Sequence, residues 1–383
     1  MMAFLISCRI CRLLVMLSFV GLGISGLLSY SAYNLLPARP ILEIVLAFIS
    51  ILYVYEIDKK AAFYGVCSFL YLICGYYVAR SGSGALDFLL IYKAYVYFVF
   101  LSFLVGKRSI DKRYVRMLYR VLCLLYLSKY VVWLLIGVSD RPGLYGENNF
   151  ELVFILLLFI GLWSFASRAE LIDWFVLFVI FLLSGSRSGM VALFVAIFVL
   201  NLRPIDGRFL AGLLFLAVVF VGVIYSFLSR VPDGGFERID RFVFLLVFIS
   251  EIQYWGVWEF LTGSPPITAL SDFSCSRLSF YQNLFSYSDP SVCYSVILHS
   301  FVLRTIFDHG ILGLIFMFCF VNYGLLRAGM TLKVRLAVLG VIFMSGLSVS
   351  SLNSIFVAFG LAILFSLNIK SVSGIKDGLN RAT

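Results

Sequence analysis

The sequence has little charge. Only 13% of its 383 residues are charged, whereas 62% are hydrophobic, and the mean hydropathy is +1.03. A soluble domain has a near-even balance of apolar and polar residues, so this composition excludes an ordinary water-soluble protein. An apolar stretch of about 20 residues crosses a bilayer, and lipid offers backbone polar groups no partners. Each such stretch therefore predicts a transmembrane helix.

The sequence also lacks the short motifs of several enzyme and transporter classes. It contains no P-loop, no glycine-rich dinucleotide-binding turn and no HExxH, so nucleotide-driven transport and zinc hydrolysis have no sequence support. Its eight cysteines are scattered, and the one CxxC spacing, Cys8 with Cys11, has no matching second pair. We therefore expect neither a metal nor a cofactor.

Basic residues exceed acidic ones and give a net charge of +10. Membrane chains accumulate Lys and Arg in their cytoplasmic loops, so this excess indicates topology rather than nucleic-acid binding. The N-terminal apolar run is longer than the roughly 7 to 15 residues of a signal peptide core, which favours an uncleaved anchor. We predict an all-α polytopic protein, one transmembrane domain over residues 1–383, with about 12 spans. The spans are 13–34, 41–57, 61–79, 88–105, 117–138, 150–167, 171–185, 188–202, 209–228, 298–326, 335–350 and 353–369.

This map puts both chain ends in the cytoplasm, because most Lys and Arg residues then lie on that side. Residues 229–298 form a large external loop, periplasmic if the membrane is a Gram-negative inner membrane. Within the loop, residues 242–249 are apolar but Glu251 follows closely, which favours a helix along the interface rather than another span. Cys275 and Cys293 are the two cysteines of the loop, and an oxidising compartment would allow a disulfide between them.

Several arginines fall on the external face, which the positive-inside rule should deplete. They are Arg141, Arg187, Arg238, Arg241, Arg277 and Arg304. A single arginine at a membrane face is usually an anchor that extends to the interface. Their number on one face instead indicates that they bind anions.

Two of these arginines lie in turns between predicted spans. Arg141 opens a turn whose Pro142 and Gly143 favour a tight bend beside the membrane. Arg187 lies in a turn of small residues, 184–189, in which open backbone N–H groups and the guanidinium can hold a phosphate. The alternative for the second turn is a plain hairpin between helices.

Two further elements lie in or beside the external loop. Arg238 and Arg241 are three residues apart and share a helix face, where Glu237 and Asp240 offer charge pairing as the alternative explanation. The segment 299–310 then holds both histidines of the chain together with Arg304 and Asp308. Ionisable groups are costly near a membrane, so this segment is a candidate site, although lone histidines are often structural.

Taken in order, these elements resemble the superfamily of O-antigen polymerases (Wzy-type) and O-antigen ligases, which are bacterial membrane glycosyltransferases. The resemblance covers roughly residues 140–320 and is one of pattern. It is carried by Arg141, Gly143, Gly146 and Asn149, then by Ser186, Arg187 and Gly189, and finally by His299, Asp308, Gly310 and Gly313. Family members often have Glu where this chain has Asp308.

The resemblance implies a glycosyltransferase type C-like fold and a metal-independent reaction with an undecaprenyl-diphosphate-linked oligosaccharide as donor. Arg187 and Arg304 would stabilise the leaving diphosphate as catalytic residues, Arg187 most firmly. His299 would act as base or orient the acceptor hydroxyl, whereas His309 lies about 15 Å deeper along a helix and is expected to pack or to pair with Asp308. The substrate-binding candidates are Arg141, Asn149, Arg238, Arg241, Arg277 and Asp308.

Three functions remain open at this point. A polymerase would join a growing lipid-linked glycan to a new repeat unit, for O-antigen, capsule or exopolysaccharide. A ligase would move finished glycan to lipid A-core, and a transporter or flippase would line a cavity with the same arginines. The expected partners are the lipid-linked oligosaccharide, membrane lipid, a chain-length regulator and a flippase.

Overall fold

The computed structural model describes residues 2–29, 35–79, 84–137, 142–146, 148–165, 171–201 and 240–369, without the side chains of residues 2–7 and Glu56. Within these ranges every regular element is a helix. The α-helices are α1 (Met2–Leu28), α2 (Ala38–Ile51), α3 (Lys59–Ala79), α4 (Ala85–Ile91), α5 (Lys93–Ser102), α6 (Lys112–Ile136), α7 (Asn148–Trp163), α8 (Leu171–Leu183), α9 (Arg187–Asn201), α10 (Asp240–Ile252), α11 (Val257–Thr262), α12 (Asp272–Arg277), α13 (Phe301–Arg327), α14 (Leu332–Gly346) and α15 (Ile355–Phe365). The predicted all-α class is confirmed for this part of the chain.

Four of these helices are long and apolar enough to cross a membrane. They are Cys8–Leu28 of α1, Lys59–Ala79, Lys112–Ile136 and Phe301–Arg327. The pair α4 and α5 forms a fifth candidate, bent by 66° at its break. The chain is therefore a helical, membrane-embedded protein.

The other predicted spans also overlap helices, except 209–228, which lies outside the described residues. Helices α7, α8, α9 and α15 are apolar but have only 10–17 residues. Such lengths fall below the roughly 20 residues that span a hydrocarbon core. The count of twelve spans therefore stays a prediction.

Helix α7 is the centre of the protein. After a first turn that carries Asn148, Asn149 and Glu151, it is apolar around its whole circumference, and the residues from Phe150 to Leu162 are buried. A helix without a polar face must be surrounded on all sides. Here α15 packs along α7, and Phe19 of α1 lies between them, with ring centroids 4.5 Å from Phe154 and 5.2 Å from Phe359. This core holds the N-terminal ends of α7 and α15 at one end of the bundle.

Helix α13 is broken at Gly310, where φ is +66°. The loop segment after α11 crosses α13 at this break. A Cβ on Gly263 would lie 2.6 Å from the nitrogen of Gly310, so the two backbones touch directly. The amide of Ser264 donates to the carbonyl of Phe307 at 2.7 Å. The break therefore lets the loop dock onto the N-terminal third of α13.

The loop 240–298 has its own apolar core. Helix α10 buries Val243, Phe244 and Val247 against the rest of the loop and α13. Cys275 and Cys293 form a disulfide in this core, with Cα atoms 5.6 Å apart. The predicted disulfide is confirmed, and residues 242–249 are helical, but the position of this helix along a membrane interface stays a prediction.

Candidate functional site

A cavity of about 220 Å³ lies between the break of α4 and α5, the starts of α13 and α15, and the loop. Its lining combines cations, amides, hydroxyls and aromatic rings. The lining residues are Arg39, Leu90, Lys93, Phe150, Asn283, Leu284, Phe285, Tyr287, Val296, His299, Arg304, Ser350, Asn353, Ser354 and Ile355. Two predicted catalytic residues, His299 and Arg304, are thus brought to one space.

The break between α4 and α5 organises one wall of the cavity. In a continuous helix the N–H of Ala94 would donate to the carbonyl of Leu90. Here the N–H of Ala94 donates to Oδ1 of Asn353 at 2.9 Å, and the carbonyl of Leu90 accepts from the guanidinium of Arg304. Backbone that is not helical is tolerated at membrane depth only where protein groups replace the lost bonds. Arg304 and Asn353 supply those bonds.

Arg304 is buried, with 4% of its surface exposed. Its Nε lies 3.7 Å from Oδ2 of Asp308, one turn further along α13, and that oxygen also accepts a hydrogen bond from Ser295 at 2.6 Å. Within the described part of the chain, Nε of Arg304 has no hydrogen-bond acceptor. Arg304 also lines the cavity, and a guanidinium carries five N–H donors, so it can donate to an anionic ligand there.

Two further cations line the cavity. The ammonium of Lys93 lies 2.5 Å from the carboxylate of Glu43, which also accepts a hydrogen bond from Tyr97. The guanidinium of Arg39 lies 5.8 Å from the ring centre of Phe150. Among the described residues that line the cavity three are cationic and none is acidic, because Glu43 and Asp308, which pair with Lys93 and Arg304, are not part of the lining. Such a lining attracts anions.

His299 lies at the edge of the cavity, immediately before the residue that caps α13. It adopts a left-handed backbone with φ of +49°, and its half-buried ring lies 5.6 Å from the ring of Phe244 and 5.5 Å from that of Tyr281. The hydroxyl of Tyr281 donates to Asp240 at 2.6 Å. Burial and this hydrogen bond raise the pKa of Tyr281 above its ordinary value, so the hydroxyl remains a donor. The loop therefore orients His299 through aromatic contacts.

His309 has a different environment. Its Nδ1 is 3.0 Å from the hydroxyl of Tyr71, and its ring lies 4.9 Å from the rings of both Tyr92 and Tyr95. It is buried and is not among the residues that line the cavity. Of the two expectations, packing and pairing with Asp308, the structure shows packing.

The backbone amides of the first predicted turn bind a carboxylate of the chain itself, that of Glu151 in α7. The amides of Leu144, Tyr145 and Gly146 donate to Glu151 at 2.8, 2.9 and 2.6 Å. Three backbone N–H groups in such a turn form an anion-binding concavity. Glu151 already occupies it. Arg141, predicted to bind substrate here, lies outside the described residues.

The second predicted turn is joined to the first. Ser186 donates to Oδ1 of Asn149 at 2.6 Å, and Asn148 donates to the carbonyl of Ser184 at 2.9 Å. We name residues 142–151 and 184–189 the turn junction. Arg187 begins α9 there, half-buried and not lining the cavity, whereas Phe150 beside Asn149 does line it.

The expectation of open backbone N–H groups in the second turn is wrong for four of its residues. The amide of Ser184 donates to the carbonyl of Ile180 at 2.9 Å. The amides of Gly185, Ser186 and Gly189 donate to Leu182, Ser184 and Ser186, at 3.2, 3.2 and 3.0 Å. The hydroxyl of Ser186 caps the N-terminus of α9, as helix starts require. The hairpin alternative therefore describes the backbone of this turn better than a phosphate-binding loop.

The remaining substrate-binding candidates lie elsewhere in the loop. Arg241 is exposed on α10, and Arg277 is half-buried in the last turn of α12. Neither lines the cavity. Arg238 lies outside the described residues. Of the two described candidates, neither is brought to the space that holds His299 and Arg304.

Of the cavity residues that were not predicted as site residues from the sequence, Arg39, Lys93 and Asn353 matter most to the site. For Lys93 a signal existed, because an ionisable residue inside an apolar stretch is costly and marks functional sites in membranes. Arg39 lies on the predicted external face but belongs to no motif, and Asn353 gave no signal. Within the described residues, no group of three or more His, Cys, Asp and Glu side chains is close enough to hold a metal ion.

In comparisons with known proteins, no family model matches the chain, and a search of the curated proteins finds no match. The resemblance to the O-antigen polymerase and ligase superfamily therefore rests on the residues of this chain alone.

Proposed function

We propose that the chain is a polysaccharide polymerase of the O-antigen type. It transfers a growing undecaprenyl-diphosphate-linked glycan onto a new lipid-linked repeat unit, for O-antigen, capsule or exopolysaccharide. The observation that carries the proposal is the cavity, whose lining brings Arg39, Lys93 and Arg304 together with His299. This combination suits a reaction that releases a diphosphate and activates a hydroxyl.

The chemistry is a substitution at the anomeric carbon of the donor sugar. The acceptor hydroxyl oxygen bonds to that carbon, the bond from the carbon to the diphosphate oxygen breaks, and undecaprenyl diphosphate leaves with the electron pair. His299 takes the hydroxyl proton. Arg304, with Lys93 and Arg39, stabilises the charge that develops on the diphosphate, as a fixed and partly water-excluded set of cations can. No nucleotide sugar and no metal takes part.

An apolar groove offers a seat for the lipid chain. It has a volume of about 430 Å³ and lies beside α4, lined by Leu72, Ile73, Tyr76, Tyr77, Ala85, Phe88 and Leu89. Leu89 faces this groove, while Leu90 lines the charged cavity. A diphosphate in the cavity and its polyprenyl chain in the groove would thus lie on two sides of one short helix.

The finer topology belongs to the same proposal. We infer twelve spans, cytoplasmic chain ends and a periplasmic loop 229–298 in a bacterial inner membrane. The disulfide between Cys275 and Cys293 supports an external loop, because disulfides persist in oxidising compartments. In this topology Arg39, from the N-terminal third of the chain, and Asn353, from the C-terminal third, both lie on the external side beside His299. A flippase and a chain-length regulator would be functional partners.

Glycan profiling of a strain that lacks the chain tests this proposal. Loss of a polymerase leaves lipid A-core that bears one repeat unit. Loss of a ligase leaves bare core while lipid-linked polymer accumulates, and loss of a flippase leaves bare core with single lipid-linked units on the cytoplasmic leaflet. We expect the first pattern, restored by the wild-type chain, and either of the other two would overturn the assignment.

A further inference from the structure

The disulfide-closed part of the loop contributes to the lining of the cavity. We name residues 275–293 the lid segment. Cys275 and Cys293 join its two ends within the apolar core of the loop. Between them, four residues of the segment line the cavity: Asn283, Leu284, Phe285 and Tyr287. The lid segment is therefore a wall of the candidate site rather than a distant part of the loop.

One carboxylate fastens the lid segment to the helical bundle. Asp87 in α4 accepts hydrogen bonds from the hydroxyl of Ser286 at 2.7 Å, the amide of Tyr287 at 3.0 Å and the hydroxyl of Ser288 at 3.0 Å. Asp87 is 3% exposed. Hydrogen bonds to a carboxylate are among the stronger ones, and a buried carboxylate needs several of them. The three donors come from consecutive residues beside the cavity.

The same short helix also holds Arg304. Asp87 lies in the first turn of α4, and Leu90, one turn later, accepts the hydrogen bond from Arg304. Near its other end, the lid segment contacts His299 through the ring of Tyr281. The lid segment thus touches the proposed acceptor side directly and is linked through α4 to the arginine on the proposed diphosphate side.

We propose that the lid segment selects the acceptor repeat unit and that Asp87 is the positioning residue that holds it over the cavity. This inference rests on the proposed function. The cavity side of the segment offers the rings of Phe285 and Tyr287 and the amide of Asn283, a mixture of flat apolar faces and hydrogen-bonding groups that suits a sugar. The cations of the lining belong to helices α2, α5 and α13 and not to the lid segment, so the segment recognises the glycan and not the diphosphate.

The test measures initial rates of polymer formation by the purified full chain in lipid vesicles. The probe is the lipid-diphosphate repeat unit extracted from cells that lack this chain, supplied over a range of concentrations. We expect Asp87→Ala to raise KM about tenfold and to leave kcat within about twofold, because it weakens binding of the glycan without touching the reacting atoms. Asp87→Asn should recover most of the loss, since an amide oxygen still accepts from the Tyr287 amide and its NH₂ can donate to a serine hydroxyl.

A matched control is Asp272→Ala, which removes an exposed aspartate of the same loop outside the lid segment. It should keep the wild-type KM. Amide hydrogen exchange across residues 283–288 supplies a second readout, and we expect faster exchange in Asp87→Ala than in the wild type or the control. A variant that does not fold is recognised by fast exchange throughout the chain. In that case the comparison of KM and exchange is made with Asp87→Asn.

The outcomes distinguish a failure of this inference from a failure of the proposed function. Faster exchange with an unchanged KM would show that the lid segment opens without affecting acceptor binding, which overturns the inference. A fall in kcat at constant KM would also overturn it, since Asp87 would then act on the chemical step. A wild-type protein that forms no polymer from the repeat unit would instead refute the proposed function itself, and the inference with it.

Discussion

The cavity and the turn junction use similar polar groups in opposite ways. In the junction, polar groups bond to one another: Glu151 accepts from the amides of Leu144, Tyr145 and Gly146, and Ser186 of the second turn donates to Asn149 of the first. In the cavity, Arg39, Lys93 and Arg304 belong to the lining, whereas the carboxylates that pair with Lys93 and Arg304 do not. A site for an external anion needs donors that the fold has not consumed, so the cavity and not the junction meets that requirement.

The largest expected effect is at Arg304. Arg304→Lys keeps a charge but loses the fork that reaches Leu90 and the cavity together, so we expect polymer formation to fall about 100-fold or more. Arg327→Lys is the control on the same helix, because Arg327 is half exposed and pairs with Asp58 at 2.6 Å. It should change activity little. Equal activities of the two variants at matched protein levels would remove Arg304 from the reaction.

The two histidines allow a residue that lines the cavity to be compared with one that is buried away from it. His299 borders the cavity, so His299→Ala should abolish polymer while the protein still inserts and folds. His309 is enclosed by tyrosines, so His309→Ala should mainly lower the amount of folded protein. The measurement is glycan length with quantified membrane protein. Normal long glycan from His299→Ala, with single repeats from His309→Ala, would move the reaction centre inward.

Arg187 tests whether the junction takes part in phosphate binding. The sequence pattern ranks Arg187 above Arg304, but Arg187 does not line the cavity and neighbouring amides are internally bonded. We therefore expect Arg187→Lys to lower chain elongation about tenfold, less than Arg304→Lys, and Arg241→Lys to lower it less again. A larger loss for Arg187→Lys than for Arg304→Lys would reverse the comparison and return the phosphate site to the junction.

The smallest effect on catalysis is expected at Glu151. Glu151→Ala leaves three buried amides without their acceptor, which should lower the free energy of unfolding by roughly 1–3 kcal/mol or more. The protein that remains folded should keep its kcat and KM, since Glu151 does not line the cavity. Thermal unfolding in detergent and kinetics per folded molecule check both statements. A stable but inactive variant would assign the junction a direct role in catalysis.

Much of the fold follows from the sequence because lipid forces apolar stretches into helices, and the predicted spans overlap the helices of the described chain. The positions of the breaks in the helices cannot be predicted from the sequence. The bend beside Tyr92 depends on Asn353 and Arg304, which take the two ends of the lost backbone hydrogen bond. Groups so far apart in the chain leave no local signal, and a continuous span was expected there.

The candidate site, too, can be predicted from the sequence only in part. His299, Arg304 and Asp308 lie within one short segment, so helix spacing suffices to bring the last two together. Lys93 and Lys129 both lie in predicted spans, yet they have different roles. Lys93 lines the cavity, whereas Lys129 donates to the carbonyls of Gly26 and Ser29 at the end of α1. Only the fold distinguishes a ligand-facing lysine from one that caps a helix.

Reconstitution tests the central claim most directly. The purified chain is placed in vesicles with the lipid-diphosphate repeat unit from cells that lack it, in the presence of a chelator and without nucleotide sugars. The account predicts a ladder of glycan lengths and release of undecaprenyl diphosphate in equal amount to the new bonds, with both lost in Arg304→Lys. Recovery of intact repeat units, merely moved across the bilayer or left unchanged by the wild-type chain, would contradict it.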